Sequence, residues 1–273
     1  MKRLPIFIFL VLPAFPQIKE GSLGIAYFTN EKIVMVGDSR ITLGGLQFDD
    51  QCKVAAPGGN IVFVTAGAAS FISPLRSSVP SWDNLDEAHV AYKKIIARYS
   101  TPAGHLLDIA NSFAESLRLK WTEAANHYRA QVEEGAPDGG LTRALFGGRD
   151  SSGRLQLVDV FIAFQASNVN DPVSAQVGYV QDCPSNFCSF GNGAIAVEFI
   201  KQTTPRAAQE AKTWRPSPDV APKDVDIERT MRLVELTIKL DDRKTVGGPI
   251  DAVQLSRGGD LRWYRRKANC PAE

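Results

Sequence analysis

The chain contains histidines and a glycine-rich motif, and the spacing of such residues can indicate a metal site or a cofactor site. His89, His105 and His127 are scattered and never lie at the spacing of metal ligands, which argues against a histidine-rich metal site. Residues 191–196 match the GxGxxA pattern of dinucleotide-binding loops, but residues 183–190 before them lack the apolar run of a buried parallel strand. We therefore interpret this motif as a turn before a helix, and we expect no cofactor and no metal.

The cysteines leave the redox state of the chain open. An even number in an exported protein predicts disulfides, and four cysteines allow three pairings. Cys183 and Cys188 enclose a loop short enough to close on itself, and Cys52 and Cys270 are the other two. Four buried free thiols are the alternative.

The N-terminal segment has the plan of a secretory signal. Lys2 and Arg3 precede an apolar stretch at residues 4–15, which as a helix would rise about 18 Å and is too short to span a bilayer. We expect residues 1–21 to be a leader and residues 22–273 to be a single domain. The mature protein would then be exported to the periplasm or the medium; without a functioning signal it would be cytoplasmic.

Composition and charge narrow the classes of partner. The chain has 273 residues, of which 44% are hydrophobic and 22% charged, as in ordinary globular proteins. Its 31 basic and 30 acidic residues give a formal charge of +1, which predicts neither nucleic-acid binding nor attraction to anionic membranes. After the leader no stretch approaches the length of a membrane span, so we expect no stable membrane span.

The hydrophobic pattern predicts the order of elements. We expect strands from 22 to 69, including a buried strand that ends at Gly67, and helices over 86–99 and 105–134. Strands from 142 to 180, helices over 194–200 and 227–238 and a final pair of strands should follow. Proline-rich residues 213–226 are predicted to be a surface connector. Because several short strands follow each other closely, they should pair antiparallel. The predicted fold is α+β, a four-layer αββα sandwich of two antiparallel sheets between helix layers.

The first β block also contains motifs in a definite order. Asp38-Ser39-Arg40 ends an apolar strand, Thr42-Leu43-Gly44 follows as a turn, Lys53-Val54 begins the next strand, and Ala66-Gly67-Ala68-Ala69 follows a buried strand. In this order they resemble the N-terminal half of proteasome β-type subunits. Members of that family are N-terminal-nucleophile (Ntn) hydrolases, in which cleavage after a glycine frees the nucleophilic residue. Beyond residue 70 the resemblance is weaker.

The resemblance implies a role for each site residue. Counting back from Asp38 by the family's interval places the nucleophile at Ser22 and the processing glycine at Gly21. The freed α-amino group of Ser22 would take the hydroxyl proton, because its reference pKa is about 7.7–8.0. Lys53 would keep the pKa of that amine low, Asp38 would orient Lys53, and the Gly67 N–H would stabilise the oxyanion.

Two further positions depart from the family's pattern. Asn192 stands where the family has a serine near the N-terminus, and Asp242 lies one residue before Arg243, which occupies the place of a second family acid. Both Asn192 and Asp242 are supporting candidates.

The predicted function is amide hydrolysis, with peptides or small amides as substrates and a homo-oligomer as the assembly. The alternative is a non-catalytic β-like subunit or binding protein with the same fold.

Overall fold

The computed structural model describes residues 17–21, 23–43, 46–74, 77–134, 140–165, 173–183, 185–191, 194–241 and 244–270. Within these ranges the chain forms two antiparallel sheets and five α-helices, so the predicted α+β class is confirmed. No helix in the described ranges has the length and apolar character needed to cross a bilayer.

The larger sheet has nine strands: β1 (Gln17–Gly21), β4 (Ile41–Leu43), β5 (Leu46–Phe48), β6 (Val54–Ala55), β7 (Val62–Ile72), β8 (Trp82–Asp83), β9 (Gly140–Arg149), β10 (Leu155–Gln165) and β11 (Ser174–Asp182). Its order is β11-β10-β9-β7-β1-β4-β5, and the short strands β6 and β8 also pair with β7. The strand β1 belongs to the predicted leader, and it lies inside the sheet between β7 and β4.

The smaller sheet contains β2 (Leu23–Phe28), β3 (Lys32–Gly37), β12 (Phe187–Gly191), β13 (Asp251–Ser256) and β14 (Leu261–Arg265). Its order is β12-β2-β3-β13-β14, with every neighbouring pair antiparallel. The central strand β3 is apolar because it is covered on both faces: residues 33–36 are fully buried, as their continuous apolar run predicts.

The helices are α1 (Asn84–Tyr99), α2 (Leu106–Glu134), α3 (Ala194–Lys201), α4 (Pro205–Thr213) and α5 (Val225–Leu240). The Asp83 side chain caps α1 by accepting a hydrogen bond from the Leu85 N–H. The Thr204 side chain caps α4 in the same way, and Pro205 occupies its first turn. This helix was not predicted from the sequence, because its nine residues are mostly polar or small.

Three apolar clusters hold these elements together. Helices α1 and α2 cover the larger sheet through a cluster that includes Phe63, Phe113, Trp121 and Phe146. Helices α3 to α5 cover the smaller sheet through a second cluster. The third cluster lies between residues of the two sheets and includes Met35. The predicted apolar stripe of α2 is confirmed, since the side chains at 109, 113, 117 and 121 are all fully buried.

Some predicted boundaries were wrong. The buried strand β7 does not end at Gly67 but continues to Ile72, because its second half pairs with β1 and β8. Residues 49–53 form no strand between β5 and β6. The segment Phe187–Gly191 is a strand, although it lacks the apolar run that would have predicted one. The connector 213–226 contains a 3₁₀ turn, Pro222–Asp224, and the first residues of α5.

Candidate functional site

The candidate site forms where the two sheets meet at the start of β2. Gly21 ends β1 in the larger sheet and Leu23 begins β2 in the smaller one, so these two residues belong to different sheets. Ser22 itself lies outside the described residues, but both of its neighbours are placed. Asp38 directly follows β3 and Lys53 directly precedes β6. The structure therefore brings together residues that the sequence placed in one site.

The Asp38 carboxylate is the hydrogen-bonding hub of this site. Its Oδ1 accepts from the Leu23 N–H (3.2 Å) and from Lys53 Nζ (2.6 Å). Its Oδ2 accepts from the Arg40 N–H (3.3 Å) and the Gly247 N–H (3.0 Å). The side chains of Asp38 and Lys53 are both 0% exposed. Asp38 thus fixes the backbone immediately after position 22 as well as the lysine ammonium.

Lys53 is held by its backbone and by its side chain. Its carbonyl accepts from the Thr65 N–H of β7 (3.0 Å), and its Nζ also donates to the Arg40 carbonyl (2.5 Å). Burial lowers the pKa of Lys53 below the usual lysine value, although the charge and hydrogen bond of Asp38 raise it. At a given pH, a larger fraction of Lys53 is therefore neutral than of an exposed lysine. A group of this kind can accept a proton.

Gly67 brings the backbone of β7 next to the end of the leader. It lies opposite Gly21 of β1 and Thr142 of β9, and its φ is +82°. A Cβ at this position would stand 2.6 Å from the Leu141 carbonyl oxygen. Both the positive φ and this close approach require glycine. The structure thus places the predicted oxyanion residue beside Gly21; its role toward an oxyanion remains a prediction.

The leader strand is held on both sides. Glu20 lies opposite Thr42 and Gly21 opposite Ile41 of β4, while β7 pairs with the other edge of β1. The residues just before position 22 are therefore extended and enclosed between two strands. A peptide bound by strand addition would have this arrangement.

A glycine loop closes the other side of the site. The Gly247 carbonyl accepts from the Ser39 N–H (3.1 Å) and the Arg40 N–H (3.0 Å). Gly248 has a φ of +72°, and a Cβ there would lie 2.4 Å from Ser39 Oγ. The pairing of this loop with the 38–40 triplet had no periodic signal in the sequence.

The acid that supports the glycine loop is Asp241, which sequence reasoning missed. Its Oδ2 accepts from Thr245 Oγ1 (2.9 Å) and from the Val246 N–H (2.8 Å). Only the paired acids at 241 and 242 could have indicated it. The supporting candidates Asp242 and Asn192, together with Arg243, lie outside the described residues.

Two observations bear on metal and dinucleotide binding in the part of the chain that the structure describes. In the described part of the chain, no three His, Cys, Asp or Glu side chains cluster as metal ligands would. The strand before residues 191–196, β12, pairs antiparallel with β2, whereas a dinucleotide-binding loop follows a parallel strand. The topology therefore argues against a dinucleotide-binding loop at this position.

Comparison with known proteins supports the fold but does not address the chemistry. No protein-family model matches the chain, and no curated protein sequence matches it. A solved structure, that of an Anbu mutant from Hyphomicrobium sp. strain MC1, matches over 92% of this chain and 89% of its own, with a TM-score of 0.51 and 16% identity. Anbu is a proteasome-like protein. This chain shares its fold. At such low identity the likeness supports the predicted architecture in outline and leaves catalysis unaddressed.

Proposed function

We propose that the protein is an N-terminal-nucleophile amide hydrolase of the αββα type, with Ser22 as its nucleophile. The observation that carries the proposal is the placement of Gly21 and Leu23, the residues on either side of Ser22. Gly21 lies opposite Gly67, and the N–H after Ser22 donates to Asp38, which also binds the buried Lys53. A hydroxyl needs a nearby base to become a nucleophile, and Lys53 is a buried titratable amine bound to the same carboxylate.

The first reaction would be self-cleavage. The Ser22 hydroxyl loses its proton to neutral Lys53 and attacks the Gly21 carbonyl carbon. The C–N bond then breaks, the Ser22 nitrogen takes a proton from the Lys53 ammonium, and an ester joins Gly21 to Ser22 Oγ. Water hydrolyses this ester, which releases a leader ending in the Gly21 carboxylate. In the precursor the Ser22 nitrogen is an amide and cannot act as the base, so the lysine takes that part.

The second reaction would use the new amine. The Ser22 α-amino group, with a reference pKa of about 7.7–8.0, accepts the hydroxyl proton at neutral pH. The oxygen attacks a substrate amide, the leaving amine takes the proton, and water hydrolyses the acyl-enzyme. Lys53, protonated and paired with Asp38, would lower the pKa of the neighbouring amine and keep it unprotonated. The Gly67 N–H would bind the oxyanion.

The leader strand favours peptides over small amides as substrates. Once residues 1–21 are removed, the position between β4 and β7 could take another extended peptide through main-chain hydrogen bonds. The two disulfides, Cys52–Cys270 and Cys183–Cys188, favour export, since disulfides persist in oxidising compartments. We further propose a mature single domain of residues 22–273 that forms a homo-oligomer.

A covalent probe separates this function from a non-catalytic subunit. The full chain is expressed, allowed to mature and treated with a fluorophosphonate or a β-lactone, and the labelled peptide is identified by mass spectrometry. We expect labelling at Ser22 only, which Ser22→Ala abolishes. Unlabelled protein that is folded and begins at Ser22 would contradict catalysis and support the non-catalytic alternative.

A further inference from the structure

A second buried ion pair lies beside the first. Asp251 is 0% exposed; its Oδ1 accepts from the Lys267 N–H (2.9 Å), and its Oδ2 pairs with the Lys267 ammonium. Asp251 begins β13 and lies opposite Gly37, the residue before Asp38. Two acid–lysine pairs, one from the N-terminal half and one from the C-terminal end, therefore adjoin each other. The catalytic scheme above uses only the first pair.

The chain fastens the second pair next to Lys53. Cys270 forms a disulfide with Cys52, the residue directly before Lys53, although 218 positions separate them in sequence. The Asn269 side chain adds a hydrogen bond to the Asp50 carbonyl (3.1 Å). The C-terminal segment 267–270 is thus attached to the segment that carries Lys53 at two points, a hydrogen bond and a covalent bond. Its ion pair attaches it to Asp251 at the start of β13.

Several charged groups act on the Lys53 ammonium, and they oppose one another. Asp38 contacts it, and the charge of Asp49, which is paired with Arg40, favours its protonated form. The charge of Lys267 opposes that form and adds to the effect of burial in lowering the pKa of Lys53. Lys267 is thus a cation that acts on Lys53, and no step of the proposed reactions uses it.

We propose that Lys267, held by Asp251 and tethered by the Cys52–Cys270 disulfide, is a positioning residue that makes the Lys53 amine easier to deprotonate. Its repulsion of the Lys53 ammonium offsets part of the attraction of Asp38. The importance of this effect for catalysis rests on the function proposed above. The electrostatic effect itself does not.

The direct test is a pH titration of Lys53 by NMR, with ¹³Cε-labelled lysine in the full-length Ser22→Ala protein. The Lys53 signal is assigned by its loss in Lys53→Met. Lys267→Met alone would leave Asp251 buried without its cation, so the pair is removed together in Asp251→Asn/Lys267→Met. We expect the Lys53 midpoint to move to higher pH in this double variant and to stay in place in Lys267→Arg, which keeps the charge. An unchanged or lower midpoint in the double variant would overturn the proposal.

The tether has a matched control in the same chain. Cys52→Ser/Cys270→Ser removes the disulfide beside Lys53, whereas Cys183→Ser/Cys188→Ser removes the other one. We expect the Lys53 midpoint to rise only in the first variant, with both proteins folded by circular dichroism. If the first variant keeps the wild-type midpoint, or if both variants shift alike, the disulfide has no part in positioning.

A kinetic measurement links the effect to the reaction. In an otherwise wild-type chain, the self-cleavage rate of Asp251→Asn/Lys267→Met should rise with pH along a limb displaced to higher pH and reach the wild-type rate at the top of that limb. A uniform loss of rate at every pH would indicate a merely structural role and would contradict positioning. If the wild type does not cleave itself at any pH, the proposed function fails, while the NMR titration still decides the inference about Lys267.

Discussion

Two buried ion pairs of this fold differ in how readily their cation can give up its proton. In one, Lys53 and Asp38 are both fully buried; in the other, Arg143 of β9 binds the buried Asp159 of β10 through two hydrogen bonds of 3.1 and 2.6 Å. Burial lowers the pKa of Lys53. Burial also acts to lower the pKa of Arg143, but the hydrogen bonds and charge of Asp159 raise it above the usual arginine value. An arginine of this kind keeps its proton, so of these two pairs only Lys53–Asp38 can take part in proton transfer.

The two carboxylates also differ in their other partners. Asp38 accepts from three backbone N–H groups besides Lys53. Asp159 accepts from Arg143 and from the Tyr179 hydroxyl (3.3 Å). Loss of its cation would leave Asp38 with three donors but Asp159 with one. The comparison therefore predicts that Lys53 matters mainly for reactivity and Arg143 mainly for stability.

The largest effect is expected at Lys53. Lys53→Ala should reduce self-cleavage by roughly 10²–10⁴-fold, the usual contribution of a general base, while the protein remains folded. Lys53→Arg should fail as well, because the guanidinium is larger and does not give up its proton. The rate is measured by mass spectrometry and the fold by circular dichroism. Wild-type rates in either variant would remove Lys53 from the mechanism.

At Arg143 we expect a loss of stability with little change in the self-cleavage rate. Breaking one side of a buried ion pair costs roughly 3–5 kcal/mol, and because 34% of the Arg143 side chain is exposed we expect Arg143→Met to lose about 3 kcal/mol. The free energy of unfolding is measured with denaturant. The folded fraction should still cleave itself at close to the wild-type rate. A stable but inactive Arg143→Met protein would make the two pairs equivalent and contradict the comparison.

A smaller effect concerns pH. Because burial lowers the pKa of Lys53, its neutral fraction grows as pH rises, and the self-cleavage rate should increase along a limb centred below the ordinary lysine value of about 10.4. Asp38→Asn removes an attraction that raises this pKa, so the limb should move to lower pH. Self-cleavage is timed across a pH series for both proteins. A limb that moves upward, or that does not exist, would separate Lys53 from the proton transfer.

The contact between Asp38 and Lys53 was expected from the resemblance to proteasome β-type subunits, which rests on motifs ordered along consecutive strands. The structure contains this contact, while the catalytic roles of the two residues stay predictions. The alternation and apolar runs predicted β2, β3 and β7 as strands, and the close succession of short strands predicted their antiparallel pairing. These features are local, and local patterns are what a single sequence displays.

The remaining features depend on contacts between distant segments. The Cys52–Cys270 pairing could not be predicted, since residues 218 positions apart share no local pattern. Strand β1 is largely polar, so its place between β4 and β7 had no hydrophobic signal. Asp241 acts through a loop N–H, an interaction without periodicity. These features were not predicted because each one either joins distant segments or lacks a hydrophobic periodicity.

The central claim is that the Gly21–Ser22 bond is the first substrate of the site, and intact-mass measurement tests it most directly. Wild-type protein and Ser22→Ala are purified side by side, and the N-terminus of each is sequenced. We expect a wild-type chain that begins at Ser22. We also expect Ser22→Ala to retain a leader segment ending in Ile18-Lys19-Glu20-Gly21, whatever signal cleavage has occurred upstream. A folded wild-type protein that keeps Gly21 attached would contradict the N-terminal-nucleophile mechanism and leave only the fold.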